Sequence, residues 1–361
     1  MTRTAARATA ALTVAGLVLA ACGGGGSSET TTTTKAKPAT TTTKAPPVAP
    51  LTGLADPSGA AQTRAALNVK IENTPESRPQ TGLDQADVVW EEVVEGQITR
   101  FLAMYNSQSP ATLGPIRSVR LTDPNIVWPV GGIFAFSGGA KYALDGIAKA
   151  PVVLVDESRA GSAMYRERSR VAPHNLYGRG DLLFQKGGTP VPPPALFTYT
   201  TKRSAAPTPG TQAALSARVG FNGSYAVDWT WDATRRAWMR AAGGRPFVVA
   251  SGNQISATNV VIMAITYRGG PGAMQAEGIL TGEGRAIVLT DGLAIEGRWI
   301  RPNLTTPAKF VDGAGRTVPL APGNTWVELP DVSYPLSVTP APVPATTTTA
   351  KGTRSTSTTK P

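Results

Sequence analysis

The chain has 361 residues, a formal net charge of +11, one cysteine and one histidine. One cysteine excludes an internal disulfide and a thiolate metal centre, and one histidine leaves a zinc site short of ligands. Much of the charge sits at the ends, with a net +4 in residues 1–50 and +3 from Ala341 onward, so the body carries only +4. It shows no basic stripe with interleaved aromatics, so no nucleic-acid partner is expected.

The N-terminus reads as an export signal. Arg3 and Arg7 precede an uncharged apolar run from Ala8 to Ala20, and Leu19-Ala20-Ala21 leads directly into Cys22. A basic start, a short apolar run and small residues at the cut define a signal peptide, here residues 1–21. A cysteine directly after the cut matches the bacterial lipobox, so Cys22 is expected to carry a diacylglycerol. The expected location is the outer face of the cytoplasmic membrane, with the lipid as the membrane contact. Residues 22–50 follow, rich in Gly, Thr, Lys and Pro. Such a segment buries no core and reads as a disordered tether, about 30 Å long on average.

The body is expected to be α+β, beginning with a mixed α/β domain over 51–190. Val69 and Ile71 belong to a strand. Residues 88–95 and 98–105 flank Gly96-Gln97, a hairpin signal. The two-residue period puts Val88, Trp90, Glu92 and Val94 on one face, and Ile98, Arg100, Leu102 and Met104 on one face of the next strand. Glu92 and Arg100 thus fall on one side of the ribbon in a suitable register, with Glu91 and Glu95 opposite Glu92. These three glutamates read as a solvated strand face, with a carboxylate site for a hard cation as the alternative. A loop over 112–121 leads to Thr122-Asp123-Pro124, a helix start. Strands are expected at 133–137 and 152–155, with a helix at 140–149 between them.

Residues 191–212 contain Pro192-Pro193-Pro194, Pro207 and Pro209 and read as an irregular connection. A mostly antiparallel β domain is expected over 213–335. Its strands are 224–231 and 237–240, a central strand at 259–267, and 286–290 with 293–300 about the tight turn Asp291-Gly292. Residues 336–361 repeat the Thr and Pro bias and read as a second disordered tail.

The candidate chemistry is cationic. Arg78, Arg100, Arg117 and Arg120 lie on loops or strand ends of the first domain, and Arg117 and Arg120 bracket Ser118. Guanidinium forks bind carboxylates and phosphates bidentately, so these groups either converge on an anion or tie loops to nearby carboxylates. His174 lies in Ala172-Pro173-His174-Asn175, a loop entry, and is the only side chain able to complete a Ser-His-Asp triad. No nucleophile elbow accompanies it. Ser118 and Ser137 remain as hydroxyls, and Ser137 and Lys141 are one residue too far apart for a serine–lysine dyad.

The blocks 73–105, 114–120 (GPIRSVR) and 173–177 (PHNLY), in that order, resemble the YerB-like bacterial lipoproteins. The likeness extends through 284–299 and 323–328 and covers nearly everything from Leu67 to Pro330. It implies a mixed α/β fold and export as a lipoprotein, without an established activity. The family often carries a histidine after the residue matching Asn73, where this chain has Thr74. The expected function is a membrane-anchored binding or scaffolding module of the cell envelope, with an anionic wall ligand or a wall-machinery protein as partner. Asn73, Arg78, Arg100, Arg117, Ser118, Arg120, His174 and Asn175 are its candidate contacts, and no cofactor or metal is expected. The alternative is an enzyme acting on wall polymer, with His174 as acid or base and Glu92 beside it.

Overall fold

The computed structural model describes residues 46–187, 190–200 and 210–342. The expected signal peptide with Cys22, most of the expected tether, part of the Pro-rich connection and the end of the expected tail lie outside those residues.

Strands dominate. In chain order the main ones are β1 (Leu67–Glu72), β2 (Val88–Val93), β3 (Thr99–Tyr105), β4 (Gly132–Ala135), β5 (Val152–Val155), β6 (Thr211–Gly220), β7 (Ala226–Asp232), β8 (Ala237–Ala242), β9 (Asn259–Met263), β10 (Gly282–Thr290), β11 (Leu293–Arg301), β12 (Thr325–Leu329) and β13 (Leu336–Pro340). They form one mixed sheet in the order β8-β7-β6-β11-β10-β9-β12-β2-β3-β1-β4-β5, and β13 pairs with β6. Helices are short. The two that matter below are α1 (Asp123–Val127) and α2 (Lys141–Ile147).

The expected hairpin is present: β2 and β3 pair antiparallel, with Glu92 directly opposite Arg100. Gly96 turns the chain in a left-handed conformation at φ 71°, which costs glycine little. The join between the two halves of the chain is a pair of parallel contacts. β12 lies between β9 and β2, parallel to both. A late strand therefore sits beside an early one, and the core runs across the seam. Phe101 of the first half packs edge-on against Trp326 and Phe247 of the second.

Three boundaries differ from expectation. The folded body starts before Leu51, since Ala49 is already buried. The Pro-rich connection is packed where it is described: Leu196 and Phe197 are buried, and Thr200 N–H donates to Leu320 O while Leu320 N–H donates to Thr198 O. The tail begins later than 336, because Leu336–Pro340 forms β13 on the edge of β6. Prolines and threonines signal irregular structure only where no unpaired edge is in reach, and β6 offers one.

The central strands are buried on both faces. Every residue of β1, β2 and β12 is buried, including Lys70, Glu72, Glu91, Glu92 and Glu328. Glu91 and Glu92 are therefore not a solvated face. Burying an unpaired charge is prohibitive, so each must meet a cation inside.

Candidate functional site

Consecutive residues of a strand point to opposite faces, and Glu91 and Glu92 open two separate charge clusters. On one face Lys70 of β1 donates to Glu92 and, at 2.8 Å, to Asp123 at the start of α1, with all three side chains fully buried. Burial raises the Glu92 pKa to about 7, and the Asp123 carboxylate pushes the same way against the pull of Lys70. With the proton on Glu92 the triad sums to zero charge.

The other face repeats the arrangement. Arg240 of β8 contacts Glu91 at 2.6 Å, again with both side chains fully buried. Glu328 of β12 is the direct strand neighbour of Glu91 and accepts from Trp229 Nε1 at 2.7 Å. Burial, then the neighbouring Glu91, pushes the Glu328 carboxyl well above its ordinary range. One cation again serves two carboxyls, one of which keeps its proton. The Arg240 Nε and Nη1 atoms lack hydrogen-bond partners, but the guanidinium lies over the rings of Phe247 (4.3 Å), Trp326 (5.1 Å) and Phe101 (5.4 Å). Aromatic faces attract a desolvated cation.

Beyond Lys70 the first face opens toward solvent. Glu72, two residues along β1, is fully buried. Its Oε1 accepts from Arg117 Nε at 2.8 Å, and its Oε2 meets His174 Nδ1 at 2.9 Å. Glu72 also sits opposite Arg100 in the sheet. Arg100 is nearly buried, donating to Ser118 O at 3.2 Å and to Glu95 at 3.3 Å. Burial, together with Arg120 and Arg117, lowers the Arg100 pKa to about 10. Arg120 clasps Glu95 with Nε and Nη2, and the two arginines hold the Glu95 pKa down at about 2. Ser118 and Ser137 hydroxyls lie 3.4 Å apart.

The arginines therefore converge, but with unequal freedom. Arg100 and Arg120 are spent on Glu95 and on loop carbonyls. Arg117 and His174 are 23% and 22% exposed. Among the described residues no hydrogen bond is made by the Arg117 terminal nitrogens or by His174 Nε2. With Nδ1–H donated to Glu72, Nε2 is a donor when the ring is charged and an acceptor when it is neutral.

Other candidates lie elsewhere. Glu92 does not touch His174, whose carboxylate partner is Glu72. Asn73 points to the Arg240 face, donating to Thr99 Oγ1 at 2.7 Å and Glu91 at 3.2 Å. Arg78 donates to Asn73 Oδ1 at 3.0 Å and covers Phe247. Asn175 accepts from Arg166 at 2.8 Å. Lys141 pairs with Asp145 on an exposed helix face, far from dyad chemistry with Ser137. Glu95 is a partner for arginines rather than a cation ligand. Among the described residues no group of three or more His, Cys, Asp or Glu is placed to hold a metal ion.

Sequence reasoning missed Lys70, Glu72, Arg240 and Glu328. The available signal was a charge at alternate positions inside otherwise apolar strands, as in Lys70 and Glu72 of LNVKIE.

By architecture this is a strand-dominated protein whose single large sheet is assembled from an N-terminal and a C-terminal segment. Those segments match the N-terminal domain of DUF3048, a family described as being of unknown function, over residues 51–189 and its C-terminal domain over 217–327. The chain belongs to this YerB-like family. It is 30% identical over 302 residues to the Bacillus subtilis (strain 168) protein named Putative lipoprotein YerB, covering 79% of this chain and 86% of that one. The crystal structure of YerB from Bacillus subtilis superposes with a TM-score of 0.69 at 26% identity, covering 81% of this chain and 99% of that one.

Proposed function

We propose that this chain is a lipid-anchored binding protein of the cell envelope, held by Cys22, that takes an anionic group at Arg117 and His174. The carrying observation is the Glu72 clamp. One buried carboxylate fixes both side chains from below and leaves the Arg117 terminal nitrogens, and the Nε2–H of a protonated His174, without another hydrogen-bond partner among the described residues. Pre-ordered donors lose little entropy on binding. Arg120 and Arg100 add positive potential behind them, partly offset by Glu95.

Titration of the full chain with inorganic phosphate and with acetate tests this reading. Arg117→Ala should weaken binding by about 1.5–3 kcal/mol, the worth of a charged hydrogen bond. Its melting temperature should fall as well, because buried Glu72 loses a charged partner, so binding is compared where the variant is folded. Unchanged binding together with a large fall in melting temperature would make Arg117 a structural tie. The anchor has its own test. Cys22→Ala should release the protein from membranes, and a variant that stayed bound through a high-salt wash would remove the anchor.

One observation favours a second reading. A carboxylate on Nδ1 orients a histidine for general acid–base work, and Glu72 stands there. In that reading His174→Gln abolishes turnover of a wall polymer while phosphate binding through Arg117 survives.

A further inference from the structure

A cleft of about 770 Å³ opens where the segments leading into β2, β9 and β12 meet. None of the arginines or the histidine of the Glu72 cluster lines it. Its volume is that of a small-molecule site, and its chemistry differs from the cationic edge.

The charged groups on its walls are partly paired, and the buried Asp84 Oδ1 is left without a hydrogen-bond partner. Asp87 accepts from the backbone N–H groups of Asn106 at 2.5 Å and Ser107 at 2.7 Å. Asp84 accepts from Ser251 Oγ at 2.9 Å and Asn253 Nδ2 at 3.0 Å. Arg235 lies 3.8 Å from Asp232. An anion entering here would meet two carboxylates and one arginine.

Apart from Asp84 Oδ1 and the exposed Arg235 head, the uncommitted polar groups are neutral. The amides of Gln85 and Gln108 are exposed and make no hydrogen bond among the described residues, and each offers both donor and acceptor. Asn253 and Gln254 spend only their NH₂ groups, on Asp84 and Arg240 O, which leaves two carbonyl oxygens. Beside them Leu54 and Val248 expose apolar surface, at 47% and 43%.

The backbone around the cleft is not free to pair with an incoming strand. Val249 N–H donates to Asn253 O, Ile255 N–H to Phe247 O and Gly323 N–H to Thr52 O. Thr258 N–H donates to Asn324 Oδ1, and Pro246 has no N–H to give. Strand addition needs unpaired backbone groups, so recognition must come from side chains. We propose that this cleft binds an uncharged oligosaccharide. Its hydroxyls both donate and accept, as the glutamine amides do, and its C–H faces suit Leu54 and Val248.

The test uses the full chain in ligand-observed NMR and calorimetry, with chitotetraose and maltotetraose as probes and N-acetylated, C-amidated tetra-alanine as the peptide control. At least one oligosaccharide should bind saturably and more tightly than the peptide. Gln85→Ala with Gln108→Ala should weaken it by about tenfold, the combined worth of two ordinary hydrogen bonds, at an unchanged melting temperature. Arg117→Ala should leave it unaltered, so the cleft and the anion site stand or fall separately. Absence of saturable binding by both sugars, tighter binding of the peptide, or an undiminished affinity in the double variant would each overturn the assignment.

Discussion

Glu92 shares a closed space with Lys70 and Asp123, and burial lifts its pKa from an ordinary 4.5 to about 7. Between those values the unfolded chain has released a proton that the folded chain keeps, so stability falls as pH rises through the window. Glu95 works in the opposite sense. Its folded value is about 2 against an ordinary 4.5, so its contribution is present above pH 4.5 and lost as acid is added below it. Urea melts from pH 3 to 8 should therefore show losses on both sides, each reduced by one substitution. Glu92→Gln should flatten the decline between pH 5 and 7, and Glu95→Gln should reduce the acid-side loss. A wild-type slope left intact by Glu92→Gln would mean that the proton sits elsewhere. The second triad makes a sharper contrast. Glu328→Gln keeps a neutral group beneath Trp229 and should cost under about 1 kcal/mol, near the net worth of one hydrogen bond. Arg240→Ala strands Glu91 in a dry core and should cost about 3–5 kcal/mol, as broken buried ion pairs do. Equal losses in the two variants would show that Glu328 is ionised.

Strand β13 shows what an element can hide in its composition. It lies in a stretch that reads as disordered tail, yet Leu336–Thr339 pairs with Ser216–Val219 of β6. Ending the chain at Pro335 would leave that length of β6 paired with β7 alone, its other edge open. Exposed edges recruit other chains, so the truncated protein should melt lower and self-associate in analytical ultracentrifugation. A monomer with the full-length melting temperature would make β13 dispensable. The same contrast explains which elements were readable. The β2–β3 and β10–β11 hairpins carry their own turns and their own alternation, and both stand where the local pattern put them. The parallel contacts of β12 with β2 and β9 join residues more than 60 positions apart, and no local period encodes them. The site divides in the same way. Arg100, Arg117, Arg120 and His174 were visible as charges on loops. Glu72, the anchor of Arg117 and His174, was not, because its role depends on two loops distant in sequence closing over one strand.

At the scale of the whole molecule, the composition suggests two domains with a proline-rich connection, and the family match divides the chain likewise. The sheet joins what the chain order separates. β12 fills the slot beside β2, Arg240 of the second half neutralises Glu91 of the first, and Trp326 packs on Phe101. Cutting the chain at the connection would leave Glu91 without its cation and β2 without a neighbour on one side. An isolated first segment would expose the edge of β2 that β12 pairs with and the Phe101 face that Trp326 and Phe247 cover, a loss that a small domain's stability of about 5–15 kcal/mol absorbs poorly. The two segments should therefore unfold as one cooperative unit. Scanning calorimetry of the full chain is expected to give a single endotherm with equal calorimetric and van't Hoff enthalpies. Residues 46–190 expressed alone should lack a cooperative melt. Two resolved endotherms, or a first segment that melts cooperatively by itself, would show that the seam between β12 and β2 is a docking contact between independent domains. In that case Arg240→Ala should lower only one of the two transitions, and the coupling between the halves would have to be sought outside the shared sheet.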